Sequence, residues 1–282
     1  LSAGQRVIAL DMPGHGGTTP LPAEARLPDF VAWAARLVEA LGLGPVSLAG
    51  HSMGALVAGG LAVERPDLVS RVALLNAVHL RSAEARASVL ARADEIAQGQ
   101  GSIEGPLDRW FAPNQRVVRN TVAHWLHQVD AQGYATAYRA FAEGDAVYAD
   151  RLGSVTCPAL LLTGEGDRNS SPQMSRDMAK AMLLGRAQVI AGHRHMMNLT
   201  APYLVNDALQ NWLGWEESNM TPFDPRALRD AFGCFMTGVT VVTSMNGDEP
   251  LGFTANSFSS VSIDPPLLLV SIAKTSRNFG HF

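Results

Sequence analysis

Val46-Ser47-Leu48-Ala49-Gly50-His51-Ser52-Met53-Gly54-Ala55-Leu56 is the stretch around which the other segments of this chain can be arranged. Pro45 to Ala49 is a short apolar run with strand character. It meets Gly-His-Ser-Met-Gly, and a helix-like run of small residues follows from Met53 to Glu64. A G-x-S-x-G turn between a strand and a helix forces the serine into a strained conformation and lifts its hydroxyl clear of the sheet. Gly50 and Gly54 leave the room that such a turn needs. Ser52 is therefore the candidate nucleophile. The N–H of Met53, opening the helix, points to where an acyl oxygen would gain charge, so Met53 is the candidate oxyanion donor.

Working outward, Arg6 to Leu10 is expected to be a strand, followed by a turn-rich stretch from Asp11 to Thr18. A helix follows Leu27-Pro28-Asp29, with Asp29 as its N-cap and Phe30, Trp33, Ala34, Leu37 and Leu41 on one face. After the serine turn and its helix, Arg71 to Asn76 reads as another apolar strand. This alternation of strand and helix argues for a parallel sheet covered on both faces. Residues 80–151 break the alternation: amphipathic helices are expected at Ser82–Gln98, Gln115–Val129 and Tyr134–Phe141. An all-helical insertion there would lie over the strand ends as a lid. Trp110, Phe111, Trp125, Tyr134 and Tyr138 are its candidate pocket-lining aromatics; the alternative is that they pack the lid onto the body. The sheet resumes at Pro158–Thr163, with the loop Gly164-Glu165-Gly166-Asp167 after it, a helix from Pro172 to Leu184, a strand at Ala187–Ile190, the loop Ala191-Gly192-His193-Arg194-His195, and a closing helix at Pro202–Leu213.

Acyl transfer by serine needs a nucleophile, a base that takes its proton, and a carboxylate that holds the base in one tautomer. Ser52, Asp167 and a histidine near residue 195 all sit in loops after strands. In a parallel sheet those loops share one edge, so the three can converge. Glu165 is the nearest competitor to Asp167.

Composition sets the limits. The 282 residues are 47% hydrophobic and 17% charged, with a net charge of −4, which offers no basic face for nucleic acid. Lys180 and Lys274 are the only lysines. The two cysteines, Cys157 and Cys234, lie far apart and imply a reducing compartment, hence a cytoplasmic protein, rather than a disulfide framework. There is no run of about twenty apolar residues, so no membrane span is expected, and no metal site is expected. The chain opens with Leu1 and stops at Phe282 inside what reads as a continuing domain, so a fragment is expected.

Asp11-Met12-Pro13-Gly14-His15-Gly16, Gly50-His51-Ser52-Met53-Gly54, and Gly164-Glu165-Gly166-Asp167 through Pro172 together resemble the alpha/beta-hydrolase family over residues 1–213. The resemblance implies an α/β fold: a parallel sheet with a helical lid, its first strands missing here, and a Ser52–His–Asp167 triad that needs no cofactor. A glycine directly before the base, as this family has it, favours His193; a proline about seven residues after it, here Pro202, favours His195. His195 is chosen and His193 stays open. The second oxyanion donor of the family comes from upstream of Arg6. Asp108-Arg109-Trp110-Phe111-Ala112-Pro113 and Gly133-Tyr134-Ala135 resemble the enol-lactonase branch, which implies hydrolysis of a small ester or lactone, including carboxylated compounds of aromatic breakdown.

Residues 214–222 read as a linker, and residues 223–282 as a second domain. A helix is expected at Asp224–Cys234, a strand at Val239–Thr243, a hairpin turn at Asn246-Gly247-Asp248, and strands at Leu251–Thr254 and Leu267–Ile272. Phe235 to Thr243, Gly252 to Ser262 and Asp264-Pro265-Pro266 resemble the short-chain flavin reductases, which implies a split β-barrel, truncated here. The resemblance further implies FMN or FAD, with NADH or NADPH, a partner monooxygenase, and a homodimer when complete. Thr254, Ala255, Asn256, Ser257 and Ser260 are the candidate flavin contacts, and Lys274, Ser276 and Arg277 suit a phosphate. Met220-Thr221-Pro222 would open a free-standing reductase, so a fusion of two pathway neighbours, real or by read-through, is expected.

Overall fold

Four parallel strands bring their C-terminal ends to one edge of the sheet. The computed structural model describes residues 5–215 in full and, beyond them, the backbone of residues 240–246, 249–255, 258–263 and 266–270. The chain divides into two compact units, Leu1–Thr221 and Pro222–Phe282.

In the first unit, helix α1 (Leu27–Ala40) precedes strand β1 (Val46–His51), helix α2 (Met53–Glu64) and strand β2 (Val69–Leu75). Helices α3 (Ala83–Ala97), α4 (Glu104–Trp110), α5 (Arg116–Gln128) and α6 (Ala131–Gly144) form the insertion. Strand β3 (Ala159–Gly164), helix α7 (Pro172–Ala181), strand β4 (Gly185–Ile190), the short helix α8 (Met197–Thr200) and helix α9 (Pro202–Leu213) complete the unit. The sheet order is β1-β2-β3-β4, parallel throughout, with His51 opposite Leu75 and Gly164 opposite Ile190.

Alternation along β2 and β3 assigns the two faces. Val72, Leu74, Ala159 and Leu161 point into a core shared with α1, α2 and α7. Ala73, Leu75, Leu160 and Leu162 point the other way, onto α8 and α9. Both strands are buried on both faces, which is why they read as continuous apolar runs. Each fully buried leucine contributes about 1.5–3 kcal/mol.

The insertion is closed at its base by a buried ion pair. Arg81 and Asp145, side chains 4% and 0% exposed, face each other at 3.2 Å, and the Arg81 backbone N–H donates to Asp145 Oδ2 at 2.6 Å. Burial, the largest influence, pulls the Arg81 guanidinium below its usual range, against the pull of Asp145. The pair staples the start of the insertion to the residue that follows α6. Removing one partner would leave an uncompensated buried charge.

Two expectations are corrected. Arg6–Leu10 is not a strand: no described strand pairs with it, and Val7 is 57% exposed. An apolar run becomes a strand only where a neighbour accepts and donates its ladder hydrogen bonds. Asp29 is not the N-cap of α1. It lies one turn inside, and its carboxylate accepts the Arg26 backbone N–H at 2.8 Å, the return half of a capping box. Helix α4 and strand β7 (Phe258–Ile263) had no separate expectation.

In the second unit, β5 (Thr240–Asn246) pairs antiparallel with β6 (Glu249–Ala255), Asn246 standing opposite Glu249, so the connection is two residues long. Strand β7 pairs antiparallel with β8 (Pro266–Val270). Thr254 and Ala255 end β6, and Ser260 lies in β7. Asn256, Ser257, Lys274, Ser276 and Arg277, the expected helix at 224–234, and most of the 214–222 linker lie outside the described residues. Among the described residues, no helix is long and apolar enough to cross a membrane, and no cluster of His, Cys, Asp or Glu could hold a metal ion.

Candidate active site

Ser52 sits between β1 and α2 with φ 55° and ψ −114°. An L-residue adopts that conformation only when its surroundings over-determine it. Here the Ser52 N–H donates to Leu75 O at 2.9 Å, while Ser52 O accepts from Ala55 N at 3.0 Å to open α2. The Met53 N–H, first in the helix, has no partner among the described residues.

The loop after β4 brings His195 to this serine. His195 Nε2 lies 3.0 Å from Ser52 Oγ, and His195 Nδ1 lies 2.8 Å from Asp167 Oδ2. His193 goes elsewhere, its Nδ1 2.9 Å from Thr200 Oγ1. Glu165 also turns away, accepting the Gly192 N–H at 2.9 Å.

Asp167 is held from several sides. Asn76 Nδ2 donates to Oδ2 at 2.7 Å; the N–H groups of Asn169 and Ser170 donate to Oδ1 at 2.8 and 3.2 Å. Burial, the largest single influence, opposes its ionisation. The hydrogen bond and charge of His195, with the bonds from Asn76 and Asn169, outweigh burial and hold the carboxyl below its usual range. Asn76 is itself strained, at φ 50°, and fully buried at the end of β2. Ser170 Oγ donates to Asn76 O at 2.7 Å, and Thr163 Oγ1 to Ser170 O at 2.9 Å, so the acid loop and the end of β2 are tied together. Sequence reasoning passed over Asn76. The available signal was an amide closing an otherwise apolar strand.

The ring of His51, next to the serine in this turn, is also engaged. Nε2 lies 2.8 Å from the backbone carbonyl of His195. A carbonyl only accepts, so Nε2 carries the proton. Burial first, then the neighbouring His195, lower the His51 pKa from 6.5 to about 4. The unfolded chain takes up a proton near pH 6.5 and the folded chain only near 4, so the stability contributed by neutral His51 is complete above 6.5 and lost as pH falls toward 4. The unfolding free energy should drop by at most about 3 kcal/mol across that window. Denaturant titrations at several pH values should show the drop in the wild type and a flatter profile in His51→Gln; parallel profiles would remove His51 as the cause.

The insertion reaches the same edge. Trp110 stacks over the His195 ring at 5.9 Å. Arg194 fastens this roof by donating to Asp108 O at 2.9 Å and Phe111 O at 2.5 Å. Of the five expected lining aromatics, Phe111 packs with Leu107 and Val122 in the interior of the insertion, and Trp125 is 51% exposed. Tyr134 and Tyr138 lie 6.0 Å apart, with Tyr134 edge-on to His15 at 6.2 Å.

A parallel sheet with a strained serine on a strand–turn–helix and a helical insertion over its strand ends is the architecture of the α/β hydrolases as a class. Residues 1–208 match the alpha/beta hydrolase family, and the chain belongs to that family. Residues 232–282 match the flavin reductase like domain. Over 209 residues the chain is 52% identical to the (E)-2-((N-methylformamido)methylene)succinate hydrolase of Acinetobacter baylyi, covering 73% of this chain and 80% of that protein. Over 58 residues it is 74% identical to the reductase component of the flavin-dependent trigonelline monooxygenase from the same organism, covering 20% of this chain and 19% of that protein. The chain thus spans about a fifth of the length of that reductase relative. The enol-lactonase from Burkholderia xenovorans LB400 shares the fold, with a TM-score of 0.63 at 23% identity over 73% of this chain and 78% of that one.

Proposed function

We propose that the first unit hydrolyses a small acyl compound through Ser52, His195 and Asp167. The observation that carries this reading is the unbroken hydrogen-bonded series from Asp167 through His195 to Ser52. His195 Nε2 takes the Ser52 proton as Oγ attacks the acyl carbon, and the Met53 N–H donates to the oxygen that gains the charge. The proton then passes from His195 to the leaving group, and the acyl group stays on Ser52. Water, deprotonated by His195, attacks the acyl carbon and releases the acid, returning the proton to Ser52. Asp167 keeps Nδ1 protonated and stabilises the imidazolium, without being protonated itself.

The hydrolase relative is named for a succinate that carries an N-methylformamido group on a methylene. That name favours a small carboxylated acyl compound, with an amide bond as the cleaved bond beside the ester or lactone expected above. A fluorophosphonate probe is expected to label Ser52, seen as a modified peptide by mass spectrometry, and to leave Ser52→Ala unlabelled. Labelling at another serine would overturn the assignment.

The second reading is that the whole protein reduces flavin with NADH or NADPH and passes it to a partner monooxygenase in the cytoplasm. The 74% identity to a monooxygenase reductase component favours it. Flavin would accept hydride from the nicotinamide. Thr254, Ala255, Asn256, Ser257 and Ser260 remain the residues proposed to hold its ring and ribityl chain, with Lys274 and Ser276 at its phosphate. That the relatives of both units come from one organism supports a shared catabolic role. The proposed domain limits are 1–213 and 223–282, with 214–222 as linker.

A further inference from the structure

The insertion holds an unusual set of cations. Arg81, Arg86, Arg119, Arg139 and Arg151 each face a carboxylate. Arg92 and Arg109, both half-buried, have no ion pair among the described residues. Arg92 Nη2 donates to Ser102 O at 2.6 Å, but its Nε is buried with no partner. A partly desolvated guanidinium without a counter-charge is costly unless an anion completes it.

Arg92 lies against a pair of tyrosines. The Arg92 guanidinium lies 5.7 Å from the Tyr138 ring centroid. Tyr134 stands beside Tyr138, ring centroids 6.0 Å apart, and the charge of Arg92 acts on both hydroxyls.

The cluster is tied to the candidate active site on two sides. On one, the turn at Gly14 crosses α6 so closely that a Cβ on Gly133 would lie 2.4 Å from Gly14 Cα. That crossing sets Tyr134 against His15, while Met12 of the same turn packs beside Gly54 of the serine turn. On the other side, Trp110, next to Arg109 in the chain, roofs His195.

We propose that Arg92, with the hydroxyls of Tyr134 and Tyr138, forms a carboxylate-binding subsite on the side of the insertion that adjoins the serine turn, so that the hydrolysed compound carries at least one free carboxylate. This rests on the hydrolase reading above. The guanidinium fork matches a planar carboxylate, and neutral phenols donate to it without adding charge. Burial raises the pKa of both tyrosines, so they stay protonated as donors.

The test is calorimetric titration of the full chain, as Ser52→Ala, with succinate, and with butane-1,4-diol and inorganic phosphate as controls. Succinate should bind and the two controls should not. Adding Arg92→Gln should weaken succinate at least about 30-fold, the size expected for a lost charge-assisted bidentate contact. Arg92→Lys should fall between, because it keeps the charge and loses the fork. If Arg92→Gln proves unfolded by circular dichroism, Tyr138→Phe, which removes one hydroxyl, should still weaken succinate about fivefold. Equal binding in the wild-type pocket and the folded Arg92→Gln, no succinate binding, or equal binding of phosphate overturns the subsite. Binding needs no turnover, so a failed ester assay or probe labelling counts against the hydrolase reading alone.

Discussion

Ser52→Ala and His195→Ala should each lower kcat/KM for a p-nitrophenyl ester at least about 1,000-fold, while His193→Ala should cost less than about tenfold. The separation follows from where the two imidazoles point. His195 bridges Ser52 Oγ at 3.0 Å and Asp167 Oδ2 at 2.8 Å, so its loss removes both the acceptor for the serine proton and the donor to the leaving group. His193 bonds Thr200, within the loop that leads to α9, and its removal costs only local order. Asp167→Asn keeps the shape but puts an amide where the imidazole N–H needs an acceptor; it should approach the loss seen for His195→Ala. A variant series in which His193→Ala is the more damaged of the two would overturn the assignment of the base.

Gly50→Ala should be nearly as severe, by a different route. A methyl at residue 50 would lie 2.0 Å from Gly54 O, 2.3 Å from Gly54 C and 2.7 Å from Ala55 N. All three atoms belong to the backbone that opens α2, so no flexible side chain can yield. Either the helix start moves, taking the Met53 N–H and Ser52 Oγ out of line with His195, or the strand does. The expected loss is above about 4 kcal/mol in unfolding free energy, with hydrolysis lost in whatever remains folded. Gly44→Ala is the control. It lies in the connection from α1 into the same strand, with nothing within 4 Å, and should change stability by less than about 1 kcal/mol. Comparable melting temperatures for the two variants would mean that the serine turn tolerates crowding and that its strain is not what orients Ser52.

The residues that a reader of the chain can find are those whose role is local. The serine turn is one: strand, glycine, serine, glycine and helix lie within eleven residues, and α2 begins at Met53 as expected. The closing helix at Pro202–Leu213 is another, because proline at its first turn and an apolar stripe are both written in order. Asp29 misled because a carboxylate at N3 and one at the N-cap look alike without the geometry of the N–H it accepts. Arg6–Leu10 misled because strand character in an apolar run says nothing about whether a partner stands beside it. Among the aromatics, Trp110 and Phe111 are neighbours in the chain. One roofs His195 and the other is packed away, a difference that helix phase at the end of α4 decides.

By itself the sequence determined that a serine stands on a strained turn, that helices and strands alternate about a parallel sheet, and that an acid and an imidazole follow later strands. These are short-range patterns of size and polarity, set by bond geometry and burial. Only the tertiary structure decided which imidazole faces Ser52, that Asn76 and two backbone N–H groups hold Asp167, and that Arg92 faces Tyr138 without a counter-charge. Each of those depends on groups far apart along the chain meeting within about 3–6 Å, the range over which hydrogen bonds and charges act.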